Sequence, residues 1–100
     1  MIGQESSVLP ESLQAFIKAL GSETRQKALL LLADGRPRTV NQIAEALGMG
    51  QSTVSEQLAL MRQAGLLKSE RVGKEVLHEP DRASILRTLR ALEGWLKSCC

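Results

Sequence analysis

Thr39-Val40-Asn41-Gln42-Ile43-Ala44-Glu45-Ala46-Leu47, then Gly48-Met49-Gly50, then Gln51-Ser52-Thr53-Val54-Ser55-Glu56-Gln57-Leu58-Ala59-Leu60-Met61-Arg62-Gln63-Ala64-Gly65, is the stretch whose periodicity settles the fold. Thr39 followed three residues later by Gln42 is a capping box, in which each partner satisfies a backbone donor left over at a helix start. Val40, Ile43, Ala44 and Leu47 then share one helical face. Gly48-Met49-Gly50 makes a tight connection, and a second helix runs from about Gln51 to Ala64 until Gly65 stops it. With Val54, Leu58 and Met61 inward, Ser52, Ser55, Glu56, Ala59 and Gln63 face outward and Thr53 lies on the flank. Two amphipathic helices around a glycine turn form a helix-turn-helix. The first braces the second, which can then enter a DNA major groove.

Working outward, the upstream sequence predicts two more helices. Leu9, Leu13, Phe16, Ile17 and Leu20 recur at helical spacing, with Pro10 near the first turn and Gly21 as the stop. Ser22 caps a second helix from Glu23 to about Asp34, and Gly35-Arg36-Pro37-Arg38 is a turn. Downstream, Leu66 to Val72 and Glu75 to Glu79 flank Gly73-Lys74 and read as a β-hairpin that Pro80 ends. Asp81 caps a last helix with Ile85, Leu89, Leu92 and Leu96 on one stripe. The predicted fold is mainly α with a small β-hairpin wing, a winged helix-turn-helix of order α-α-α-α-β-β-α. Residues 1–8 are expected as a flexible tail and residues 9–100 as one domain.

The outward face of the fourth helix carries the chemistry. Gln51, Ser52, Thr53 and Ser55 are small or polar and can hydrogen-bond to base edges or phosphates. Arg71 and Lys74 at the wing tip suit the phosphates that flank the groove. Arg36, Arg38 and Arg62 read equally well as solvated surface. A net charge of +2 permits a nucleic-acid partner without requiring one. The longest wholly apolar run, Ala28 to Ala33, is far too short to span a membrane. With one Phe, one Trp and no Tyr, the core must come from aliphatic side chains. No nucleophile, base and oxyanion set converges, so enzyme chemistry is not expected. His78, the only histidine, reads as a structural strand residue. No signal peptide is evident and the cysteines form no disulfide framework, which together predict a reducing, cytoplasmic setting.

Three segments, Ala19-Leu20-Gly21-Ser22-Glu23-Thr24-Arg25, Gln51-Ser52-Thr53-Val54-Ser55 and Ala64-Gly65-Leu66-Leu67, resemble the ArsR/SmtB family of winged-helix repressors. The resemblance covers about residues 13–96. It implies a homodimer formed through the first and last helices, a near-palindromic double-stranded DNA operator, and release by an inducer. The expected dimer contacts are Leu13, Phe16, Ile17 and Leu20 with Ile85, Leu89, Leu92 and Leu96. The expected DNA contacts are Gln51, Ser52, Thr53, Ser55, Glu56, Arg71 and Lys74. Two departures stand out. Glu56 replaces a basic or imidazole side chain common in the family, trading phosphate attraction for a carboxylate that can accept from cytosine N4. Gly50 replaces a serine cap.

The family's metal-sensing members take ligands from the helix before the recognition helix or from Asp and His on the last helix. Here Thr39-Val40-Asn41-Gln42-Ile43 holds no thiol, and the last helix holds Asp81 but no His. No metal in those places and no cofactor are therefore expected. Cys99 and Cys100 leave two readings open, an exposed tail without a role and a thiol switch. A winged helix that binds protein instead of DNA is the alternative from another class. The inducer, small molecule or oxidant, is not identified by the sequence.

Overall fold

The computed structural model describes residues 8–99. The expectation of a flexible tail at residues 1–8 therefore falls almost wholly outside it, with Val8 exposed. Five helices and one hairpin follow in order: α1 Glu11–Leu20, α2 Glu23–Leu31, α3 Val40–Leu47, α4 Gln51–Gln63, β1 Leu67–Val72, β2 Glu75–Pro80 and α5 Arg82–Cys99. The winged helix-turn-helix is thus the observed fold. β1 and β2 pair antiparallel from Leu67 opposite Pro80 to Val72 opposite Glu75. Gly73, at φ +65 with no positive φ at Lys74, has the sign pattern of a type II′ turn, which matches the strand twist.

Two boundaries differ from the sequence reading. α2 stops at Leu31 and gives way to a 3-10 turn, Leu32–Asp34, which Gly35 closes at φ +84. Asp34 turns its carboxylate onto the Arg36 backbone N–H at 2.9 Å, a local bond that competes with further helix. Pro80 belongs to β2 rather than following it, at the strand's last position where no further ladder bond from its nitrogen is needed.

The capping chemistry is as read. Thr39 Oγ1 accepts from the Gln42 N–H at 3.2 Å, and Gln42 Oε1 accepts from the Thr39 N–H at 2.9 Å. Ser22 caps α2, and Asp81 Oδ1 accepts from the Ser84 N–H at 3.1 Å at the start of α5. Gly50 leaves α4 without a side-chain cap. The end of α1 is closed by side chains of α2. Arg25 donates to the carbonyls of Ala19 and Lys18, and Gln26 donates to that of Leu20. The Lys18 carbonyl also accepts from the Gly21 cap N–H at 3.2 Å, and a helix end leaves such carbonyls without the usual partner four residues on.

One apolar core gathers Phe16 and Ala19 of α1, Ala28 and Leu32, Ile43 and Ala44 of α3, Val54, Leu58 and Met61 of α4, and Leu66 and Leu67. Of the expected dimer stripe, Leu13 and Phe16 are buried within the single chain, at 4% and 2% exposure. Ile17 on the adjacent face stays 41% exposed. Helix α5 contrasts with the rest. None of its 18 residues is buried, although Ile85 packs against the core.

Candidate nucleic-acid interface

Helix α4 presents the predicted surface. Val54, Leu58 and Met61 are buried, and Gln51, Ser52, Thr53, Ser55 and Glu56 are exposed. The exposed set fills the N-terminal turns, where no bulky side chain prevents close approach to a ligand. The α3–α4 turn closes tightly. Gly48 sits at φ +68, and the Met49 N–H bonds the Ala44 carbonyl at 3.0 Å. Both helices are thereby held by their shared core and by the turn itself.

The wing completes the surface. Arg71 and Lys74 are exposed, as expected of a tip. A groove of 270 Å³ runs between the starts of α3 and α4 and the wing, lined by Thr39, Val40, Asn41, Gln51, Lys74, Glu75 and Val76. It brings Gln51 and Lys74 together. Arg71 is not part of its lining. Thr39 and Asn41 were not singled out as contacts from the sequence. The capping box was the available signal, because it marks where a helix start places polar groups.

Behind the wing, Arg38 and His78 tie the hairpin to the end of α2. Their backbones exchange two hydrogen bonds, of 3.0 Å and 2.8 Å. The Arg38 side chain is not a surface cation. It forks onto both Asp34 oxygens at 3.1 and 2.9 Å and reaches the Leu31 carbonyl at 2.9 Å. The Arg38 guanidinium, followed by the Arg36 backbone N–H, holds the Asp34 carboxyl well below the usual carboxylate range. Asp34 in turn pushes Arg38 up. This compensated pair adds no net charge to the interface.

His78 is 2% exposed, and neither ring nitrogen has a hydrogen-bond partner. Burial, then the positive charge of Arg62, pushes its pKa below the ordinary value. A buried neutral imidazole at the wing base fits the structural role read from the sequence.

Metal ligation in the family's usual places does not fit these residues. Val40, Asn41 and Gln42 open α3, and α5 carries no histidine. Among the described residues no three His, Cys, Asp or Glu side chains converge. Cys99 is exposed at the end of α5, and Cys100 lies outside the described residues. Among the described residues no helix is long and apolar enough to cross a membrane.

The expected dimer face resolves into two parts. On α5, Ile85 and Leu92 are half-buried, whereas Leu89 and Leu96 are 45% and 47% exposed. Leu86, absent from the expected set, is 53% exposed beside them. Its spacing of three from Leu89 was the signal. Leu20 of α1 is half-buried against the core.

The arsR family of bacterial regulatory proteins matches residues 22–69. The chain is 39% identical over 62 residues to the transcriptional regulator NmtR of Mycobacterium tuberculosis, covering 62% of this chain and 51% of that one. It therefore spans about half the length of that relative. It is 31% identical over 90 residues to the regulator Rv0081 of the same organism, covering 86% of this chain and 78% of the other. The solution structure of the homodimeric winged helix-turn-helix DNA-binding domain of Mb0332 from Mycobacterium bovis superposes with a TM-score of 0.68 at 29% identity, covering 84% and 82% of the two chains. Sequence and fold agree over most of the molecule, and the chain belongs to the arsR family of bacterial regulatory proteins.

Proposed function

We propose that the chain is a sequence-specific DNA-binding transcriptional regulator, an operator-binding repressor that works as a homodimer. The observation that carries this reading is the N-terminal half of α4. It is polar, exposed and free of bulky groups, on a helix whose opposite face is locked in the core, with the wing's Lys74 alongside. Ser52, Thr53, Ser55 and Glu56 read base edges, while Gln51, Arg71 and Lys74 hold phosphates. The exposed stripe Ile17, Leu86, Leu89 and Leu96, with Leu20, Ile85 and Leu92 at its margin, forms the subunit contact. Homodimerisation of the Mb0332 domain supports it. A two-fold dimer sets its recognition helices on half-sites about 34–36 Å apart, hence a near-palindromic operator. Residues 9–100 act as one reading and dimerising unit.

The test is selection of bound fragments from a genomic DNA pool, followed by salt titration on the selected site. Lys74→Ala should weaken specific and non-specific DNA alike and flatten the salt dependence by about 0.9 per wing. Glu56→Gln should change base preference at one position in each half-site. No enriched fragment, or affinity indifferent to salt, favours a protein-binding winged helix instead.

A further inference from the structure

A cleft of 180 Å³ opens between α1, α2 and α4, and Ala15, Lys18, Arg25, Leu60, Gln63 and Ala64 are among its walls. Its charge is unusual. Arg25 is half-buried, and its three guanidinium nitrogens donate to neutral oxygens: the Ala19 carbonyl at 2.8 Å, Gln57 Oε1 at 2.7 Å and the Lys18 carbonyl at 3.2 Å. Among the described residues neither Arg25 nor Lys18 makes an ion pair. A guanidinium has five N–H donors in a planar fork, so two remain. The neutral acceptors fix its orientation but leave its charge uncompensated. The remaining walls are alanine methyls and Leu60, a leucine left 47% exposed on the helix otherwise given to polar contacts.

We infer that this cleft binds a small organic carboxylate. The carboxylate takes the free Arg25 donors and the Lys18 ammonium, and the apolar body rests on Leu60, Ala15 and Ala64. A planar, charge-assisted fork favours carboxylate geometry over a neutral amide of the same shape. The volume lies below the roughly 300–1,000 Å³ of pockets for drug-sized ligands, so the ligand is a single ring or a short chain. Gln57, which holds Arg25, belongs to α4, so occupancy bears on the helix that presents Ser52 and Thr53. That last link rests on the DNA-reading role proposed above, whereas binding itself does not.

The experiment is a titration followed by NMR on the intact protein, observing the Arg25 Nε–H and the Leu60 methyls, with benzoate and hexanoate as probes and benzamide and hexanamide as neutral counterparts. Saturable shifts at both residues are expected, with the carboxylates binding about tenfold tighter than the amides or more. Arg25 also closes α1, so its removal risks the fold. Leu60→Asp, at an exposed position, places a carboxylate at the cleft mouth and should weaken benzoate about tenfold or more with the helical spectrum intact. Lys18→Gln should weaken it by a smaller factor. Equal binding of acid and amide, or no saturation below about 10 mM, overturns the inference. So does a Leu60 signal that moves on dilution through the dimer range but ignores benzoate, because a second copy then covers the cleft. Operator affinity measured with and without benzoate reports the coupling separately. A site that binds benzoate without affecting DNA leaves the cleft assigned and removes only its link to α4.

Discussion

Replacing His78 with Phe should stabilise this protein, which is unusual for a fully buried residue. Neutral imidazole carries one donor and one acceptor, and neither ring nitrogen of His78 has a partner. A buried polar group left unpaired costs about 1–3 kcal/mol. Phe removes both unmet groups and keeps a flat ring in the same slot, against an overpacking cost at the low end of about 1–3 kcal/mol. The balance at pH 7.5 is a gain of about 1 kcal/mol, or about 4–8 °C in Tm for a domain of this size. The gain should widen on acidification. Burial and Arg62 favour the neutral ring in the folded state. The unfolded chain takes up its proton near pH 6.5, before the folded chain does. Stability from His78 is therefore whole above about pH 6.5 and declines below it, by up to about 1.4 kcal/mol per pH unit, until the folded ring protonates. Urea unfolding at pH 7.5, 6.5 and 5.5, at one fixed protein concentration, measures this. A variant weaker than the parent by more than about 2 kcal/mol at pH 7.5 would show that the ring nitrogens are satisfied and refute the reasoning. Parallel pH profiles would refute the titration half of it.

Gly65→Ala should cost about 1–3 kcal/mol, because Gly65 stands at φ +82 and a Cβ there would lie 2.6 Å from Ser84 Oγ. Adding Ser84→Ala should return only the steric part, and full recovery in the unfolding midpoint would deny the backbone strain. Leu89→Glu should yield a folded monomer, since Leu89 is 45% exposed in the single chain. Sedimentation should show self-association weakened about a hundredfold or more, and an unchanged dimer would place the interface elsewhere.

The local grammar of this fold was legible, and the long-range ties were not. Thr39 and Gln42 specify their reciprocal bonds through a spacing of three, and Val54, Leu58 and Met61 specify the buried face of α4 through periodicity alone. Each is decided within one or two helical turns. Periodicity also found the leucine stripes, but it names a face without naming what covers it. Leu13 and Phe16 turned out to serve the chain's own core, whereas Leu89 and Leu96 did not. Arg38 looked like any surface cation, because its backbone link to His78 forms only after the wing has folded, although Asp34 stands just four residues before it. Arg25 shows the same limit. Its partner Gln57 lies 32 residues away, and no pattern in the sequence joins them.

The two ties that mount α4 and the wing differ in kind, and the difference predicts which part yields first. Arg25 holds α4 to α1 through neutral acceptors, so acid does not weaken its bonds by titrating them. The wing is held at a base where both polar members titrate. His78 disfavours its own protonation, so support there begins to fall below about pH 6.5. Asp34 is held below the usual carboxylate range, so its contribution is complete above its unfolded value near 3.9 and is lost as pH falls further. The Arg38 fork that it anchors is partly screened by solvent, which limits what it contributes even when charged. Acidification should therefore loosen the wing while α4 stays in place. Amide protection factors should fall in β2, Glu75–Pro80, at a higher pH than in the middle of α4. Simultaneous loss in both elements would mean that the wing and α4 unfold as one unit and that the latch at Arg38 has no separate stability to lose.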